Sequence, residues 1–288
     1  MTREKLLNMY IKNCEANEMS ENTIKEYVKH IGYFFEYIGD KKLEDVKRYD
    51  INTFRNDNIE LSKSYRNVML SAVKSFFDFL VNDIEYLEND VSVNVKPFRI
   101  KQQDVKKVCP LTKEQESGLL NNCKNSRDKA VIMSLLKLGL RISELINVTL
   151  DDYEFAKENE GELHIIGKGN KYRVVYINDD LFNVIDKYLL VRKDSEYDNL
   201  FISNGAKPLD RSCVSRTLKT IAKRSGRFTD EEIAMLHNHT MRHSFATNAV
   251  ENGMSIDTVS RALGHSSIDT TFKIYVHQDN ETLKKVFN

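Results

Sequence analysis

Three prolines in 288 residues suit a mostly helical chain, because proline removes an intrahelical donor and clashes with the preceding turn. The four cysteines (Cys14, Cys109, Cys123 and Cys213) are scattered, and none forms a CxxC pair. That spacing argues against a disulfide frame or a zinc knuckle and fits a reducing compartment. No apolar run approaches the roughly 18 residues of a membrane helix. The opening MTREKLLNMY is amphipathic, without an h-region or a small-residue cleavage site, so a cytoplasmic protein with no membrane partner is expected. A Walker loop and a GxGxxG fingerprint are both missing, which disfavours ATP and nicotinamide enzymes. No HExxH motif and no carboxylate run spaced for two metals occur, so neither a metal nor a cofactor is expected. Net charge is zero, with 43 basic and 43 acidic residues, and taken globally it hints at no polyanionic partner.

What is present organises into two parts. Hydrophobic residues make up 41%, enough for a sizeable core, and a chain of this length suggests two domains. Residues 1–94 read as a small all-helical domain of four helices. Its stripes are Leu6, Leu7, Tyr10 and Ile11; then Ile24, Tyr27, Val28, Ile31, Phe35 and Ile38; a shorter helix from Val46 to Ile59; and Tyr65, Met69, Ala72, Val73, Phe76, Phe77 and Leu80. Ser20 and Ser62 are placed to cap the second and fourth helices. Residues 95–108 read as a linker, with Lys96, Arg99, Lys101, Lys106 and Lys107 set against one acid, Asp104. Such a strap fits a phosphate backbone, though solvated linkers carry the same composition. Residues 109–288 form the second domain. Thr112 and Gln115 make a capping box, helices follow to Leu138 and from Arg141, and then the period changes. Glu162 to Ile166 and Arg173 to Ile177 alternate like strands around GKGNK, a small antiparallel hairpin. Helical patterns return at about 181–191, 211–224, 239–251, 256–263 and 268–275.

Charge and histidine are unevenly spread. Lys207, Arg211, Arg216, Lys219, Lys223, Arg224 and Arg227 face only Asp210, a basic helix suited to a groove or backbone contact. Five of the seven histidines lie after residue 236, three of them in HNHTMRH. Arg242 in that cluster repels a metal and attracts an anion, so a phosphate oxygen fits better than Zn²⁺. One tyrosine among thirteen, Tyr275, follows His265 by ten residues.

Five blocks in order now resemble a known family, the tyrosine recombinases of the phage integrase and Xer type. They are GLRISEL with Arg141, IIGKGNKYRVVYI with Lys168, HTMRHSFAT with His239 and Arg242, ALGHSSIDTT with His265, and KIYVH with Tyr275. The resemblance implies a mainly α fold. It has an N-terminal four-helix core-binding, SAM-like domain and a C-terminal mixed α/β catalytic domain with a small antiparallel sheet. It implies Tyr275 as nucleophile, giving a 3′-phosphotyrosyl bond; Arg141 and Arg242 as the clamp on the non-bridging oxygens; Lys168 as general acid; His239 as proton acceptor; and His265 as a phosphate contact. Lys171 in the same turn is the rival to Lys168. Glu144 reads as structural, and His243 as packing or support for the site.

The implied partner is double-stranded DNA with inverted core-type half-sites, bound by a tetramer, with an accessory directionality factor as a further partner. Lys171, Arg173, Arg211, Ser212, Ser215, Arg216, Lys219, Lys223 and Arg224 join the linker cations as DNA-binding candidates. The tail, with Leu283, Val286 and Phe287, is expected to dock on a neighbouring protomer. The ten residues from His265 to Tyr275 favour a mobile-element integrase over Xer-like dimer resolution. A type IB-like topoisomerase, a non-catalytic DNA-binding protein of the same fold and a metal-dependent nuclease are the competing functions.

Overall fold

The computed structural model describes residues 1–100, 109–167 and 172–264. The chain divides into two compact units, Met1–Lys106 and Lys107–Asn288.

The first unit contains α1 (Arg3–Ala16), α2 (Glu21–Ile38), α3 (Arg48–Asp57) and α4 (Lys63–Asp78), with a 3₁₀ turn at Leu43–Asp45 and a π turn at Phe79–Asp83. The expected caps form: Ser20 accepts from the Thr23 amide and Ser62 from the Tyr65 amide. Helix α2 packs along α4, and α1 and α3 flank them. The core is aromatic. Tyr10 meets Phe76 and Phe79 edge-on, and Phe34 packs edge-on against Phe54 and Phe77. Phe34 is missing from the stripe read off the sequence, yet it is fully buried.

The residues read as the start of a linker lie against this unit. Val95 is in its core. Asn67 holds the backbone of Phe98 at both ends, donating to its carbonyl (2.9 Å) and accepting from its amide (2.7 Å). The guanidiniums of Arg55 and Arg66 lie 4.3 and 4.4 Å from the centre of the Phe98 ring. This pairing fits the attraction of cations to an aromatic face.

The second unit runs α5 (Lys113–Asn121), α6 (Ser126–Leu138), α7 (Ile142–Leu145), α8 (Leu150–Glu158), β1 (Glu162–Ile166), β2 (Tyr172–Tyr176), α9 (Asp179–Leu189), α10 (Arg211–Ser225), α11 (Asp230–Met235), α12 (Asn238–Glu251) and α13 (Ile256–Leu263). Helix α6 is buried along most of its length and packs on α9 and α12. The Thr112–Gln115 capping box forms as expected.

Two helices were not anticipated. Helix α8 buries only Tyr153 and Ala156, too short a stripe to show a period, but it is closed by a Thr149–Asp152 capping box. Helix α11 starts with a Thr229–Glu232 box and buries nothing. The pattern at 268–275 and the tail lie outside the described residues.

The two strands are antiparallel, with Leu163 opposite Val175 and Ile165 opposite Arg173. Leu163, Ile165 and Val175 are buried, and strand alternation puts Arg173 on that same inner face.

Candidate active site

Five residues of the structure converge: Arg141, Glu144, Arg173, Arg242 and Gly139. Gly139 ends α6 with φ of 60°, and a Cβ there would overlap the ring of Phe245. Only glycine meets both demands. The tight turn brings Arg141 to the N-cap of α7 two residues later.

Glu144, at the third position of that helix, accepts from the Arg141 amide (2.7 Å) and from Arg141 Nη1 (2.8 Å). Its two oxygens also accept from Arg173 Nη1 (2.9 Å) and Nη2 (2.7 Å). Burial by itself would raise the Glu144 pKa. The bonds from Arg173 and Arg141 outweigh it and hold the carboxylate at about 2.

Arg242 is buried on α12. Its Nη1 donates to the Gly139 carbonyl (2.8 Å) and its Nη2 to the Leu263 carbonyl. Arg173 Nε donates to Ala262 O (2.8 Å) and Arg141 Nη2 to Gly264 O (3.1 Å). Three successive carbonyls at the end of α13 are therefore each taken by a different guanidinium. A helix C-terminus offers unpaired carbonyls and a negative partial charge, so it is a natural anchor for cations.

Three guanidiniums around one carboxylate leave a positive surplus. Burial first and then Arg141 push the Arg242 pKa down to about 9, with Glu144 opposing. Such a cluster is completed by an anion.

His239 stands on α12 one turn before Arg242. Desolvation, then His237, Arg242 and Arg141, lower its pKa, although the residue keeps exposed surface. It is thus neutral at pH 7 and able to accept a proton. His243, next to Arg242, is lowered by burial first and then by His239. Its Nδ1 is buried without a partner among the described residues. His237 caps α12, its Nδ1 accepting from the Thr240 amide (3.2 Å). Among the described residues no three His, Cys, Asp or Glu side chains gather as a metal set.

Of the candidates from the sequence, Arg141, His239 and Arg242 come together here. Lys101, Lys106, Lys107, Lys168, Lys171, His265 and Tyr275 lie outside the described residues. Lys96 and Arg99 are exposed. On α10, Arg211, Ser212, Arg216 and Lys223 are exposed. Lys219 reaches the Ala234 carbonyl (3.0 Å), and Ser215 accepts from Asn238 (3.2 Å). Arg224 is turned to the Asn122 carbonyl of α5.

Arg173 has an internal role that the sequence reading did not give it: its side chain is 9% exposed and its guanidinium is committed to Glu144 and α13. The signal was in the alternation, since an arginine on the inner face of a strand needs an acid partner.

A helical unit is thus followed by one bearing a hairpin and a cluster of three arginines around one carboxylate, an arrangement suited to an anionic group. The model of the phage integrase family matches residues 110–282, and that of the phage integrase N-terminal SAM-like domain matches residues 7–83. The chain belongs to the phage integrase family and is a tyrosine-type site-specific DNA recombinase.

Tyrosine recombinase XerD of Listeria monocytogenes is 32% identical over 286 residues, covering 93% of this chain and 92% of that protein. A tyrosine recombinase of Thermosipho africanus is 33% identical over 266 residues, covering 90% and 89%. Among solved structures, XerA recombinase aligns with a TM-score of 0.55 at 25% identity, over 99% of this chain and 97% of its own. A post-cleavage complex of XerH bound to palindromic difH shares the fold, with a TM-score of 0.73 at 21% identity over 97% and 83%.

Among the described residues no helix is long and apolar enough to cross a membrane.

Proposed function

We propose that the chain cuts and rejoins duplex DNA through Tyr275. The phenol oxygen attacks the scissile phosphorus, its proton passing to His239. The bond to the 5′-oxygen breaks, and Lys168 protonates that leaving oxygen. Rejoining reverses the step with a 5′-hydroxyl of the partner strand. One phosphoester is exchanged for another, so no nucleotide cofactor is needed. Arg141, Arg242 and His265 hold the non-bridging oxygens, where charge builds in the transition state. A phenol of pKa near 10 is a poor nucleophile at pH 7, so a neutral imidazole beside two cations is the environment this step requires.

The observation that carries the reading is the positive surplus of Arg141 and Arg242, anchored on the α13 carbonyls that directly precede His265.

The DNA surface comprises the strap Lys96, Arg99, Lys101, Lys106 and Lys107, the turn Lys171, and the exposed side of α10 with Arg211, Ser212, Arg216 and Lys223. Four protomers work on two sites, each a pair of inverted half-sites, in the cytoplasm, with a directionality factor setting the outcome. Solved structures of the same fold on DNA, among them a lambda integrase dimer bound to a core site and the Tn1549 transposon integrase in complex with circular intermediate DNA, support a DNA partner.

We read the biological task as integration of a mobile element, on the ten-residue interval from His265 to Tyr275. Likeness to XerD over 93% of the chain favours a second reading, dimer resolution.

The test is a nicked suicide duplex made from the DNA flanking the gene. Wild type is expected to trap a covalent adduct at Tyr275. Tyr275→Phe is expected to bind the same DNA and trap none; an adduct in that variant would overturn the nucleophile. EDTA resistance separates this enzyme from a nuclease. A two-site assay run beside supercoil relaxation separates it from a topoisomerase, and integrative against resolving site pairs separate the two tasks.

A further inference from the structure

We propose that Arg173 is a positioning residue: by occupying both oxygens of Glu144, it keeps the Arg141 guanidinium available to an anion. The proposal rests on reading Arg141 and Arg242 as the phosphate clamp.

A carboxylate next to an arginine closes a two-bond fork with it when nothing intervenes. Here that fork is formed by Arg173, through Nη1 and Nη2, and not by Arg141. Arg141 gives Glu144 one side-chain bond; its other bond to that carboxylate comes from the main chain. The backbone bond fixes where Arg141 starts, and the single side-chain bond fixes its direction while leaving part of its five N–H donors unspent. Arg141 spends Nη1 on Glu144 and Nη2 on Gly264 O, and its side chain remains 29% exposed. Arg173 spends Nε, Nη1 and Nη2 inside the protein and is 9% exposed, and Glu144 is 4% exposed.

Space is arranged to the same end. The Arg173 Cδ and Nη1 lie 3.1 Å from where a Cβ on Gly264 would stand, so the guanidinium lies in a slot closed by that glycine. Through this slot the hairpin strand β2, the start of α7 and the end of α13 are joined by one side chain. A lysine cannot substitute: its ammonium is a point charge and cannot span two carboxylate oxygens and a carbonyl at once.

Without Arg173, Glu144 is expected to take the fork from Arg141 and withdraw it from the phosphate. The defect should then depend on the charge of the phosphate, which damage to the fold would not do. A methylphosphonate at the scissile position is neutral and asks less of the clamp.

The experiment measures adduct formation by wild type, Arg173→Met and Arg173→Lys on the suicide duplex, with a phosphodiester or a methylphosphonate at the cut site. Melting and the salt dependence of binding are followed in parallel. On the phosphodiester both variants should lose about 10²-fold in rate. On the methylphosphonate the loss should shrink to within about threefold of wild type. Binding and its salt slope should be unchanged.

An equal loss on both substrates would overturn the proposal, as would wild-type rates in Arg173→Lys. A fall of about one in the salt slope would instead make Arg173 a phosphate contact. If Arg173→Met does not fold, Arg173→Lys carries the comparison. Wild type that forms no adduct on the phosphodiester would overturn the reading of the site itself, a result distinct from all of these.

Discussion

The first unit buries rings, and the second buries charge. In the first, Tyr10, Phe34, Phe76 and Phe77 are among the largest fully enclosed side chains, and His30 is enclosed with them. In the second, Glu144 and Arg242 are buried together at the junction of α6, α7, α12 and α13. An aromatic core satisfies itself within the unit, its rings packing on each other and the Tyr10 hydroxyl donating to Ser75 (2.8 Å). A cation cluster with one carboxylate does not, and its surplus is what a phosphate would complete. One unit is thus built to be finished on folding, the other to be finished on binding.

The largest test of that contrast is Phe76→Ala. It removes a ring that packs on Tyr10, Phe77 and Phe79, and it should destabilise the first unit by about 3–5 kcal/mol. Denaturant melts reporting each unit separately should show the loss in the first alone.

Arg242→Ala is the counterpart. Cleavage should fall by about 10²–10³-fold with the first unit's melt untouched. Near-normal cleavage in a folded Arg242→Ala would dissolve the distinction.

Asn67→Ala frees the two backbone bonds to Phe98. Hydrogen exchange at the Phe98 amide should report a local loss of about 1–3 kcal/mol, with no change in the second unit. Unchanged protection would mean that the Arg55 and Arg66 faces hold Phe98 unaided.

The most gradual effects are in pH, no more than about 1.4 kcal/mol per pH unit for each group. His30 is buried with its pKa lowered, desolvation being the main cause. Below 6.5 the unfolded chain takes up a proton that folded His30 resists, so the first unit loses stability as pH falls from there. His239 and His243 add the same trend to the second unit. Glu144 adds a second window there. Its pKa is depressed from 4.5 to about 2, so its contribution is complete above 4.5 and is lost as pH falls toward 2. His30→Gln should flatten the upper window in the first unit only, and Glu144→Gln the lower window in the second only. Equilibrium melts from pH 8 to 2 read both.

Much of this was legible in order along the chain. Ser20, Ser62 and Thr112 cap the helices their spacing predicts, because a cap is a local bond between residues three apart. Gly139 was legible as a helix end for the same local reason, whereas Arg141 was singled out only by the resemblance of its block. Helix α8 was not legible, since two buried residues make no period, while Phe34, three residues after Ile31 and four before Ile38, fits the stripe's spacing and was passed over. The Arg141 pairing with Glu144 lies within one helical turn and could be weighed beforehand. Glu144 with Arg173 is separated by 29 residues and could not.

By itself, the order of residues determined which segments coil, where they are capped and where the hairpin falls. Those are consequences of contacts a few residues long. Only the tertiary structure decided which arginine is spent on Glu144 and which is left open. That choice depends on three elements meeting at the carbonyls of one helix end, and no local pattern encodes such a meeting.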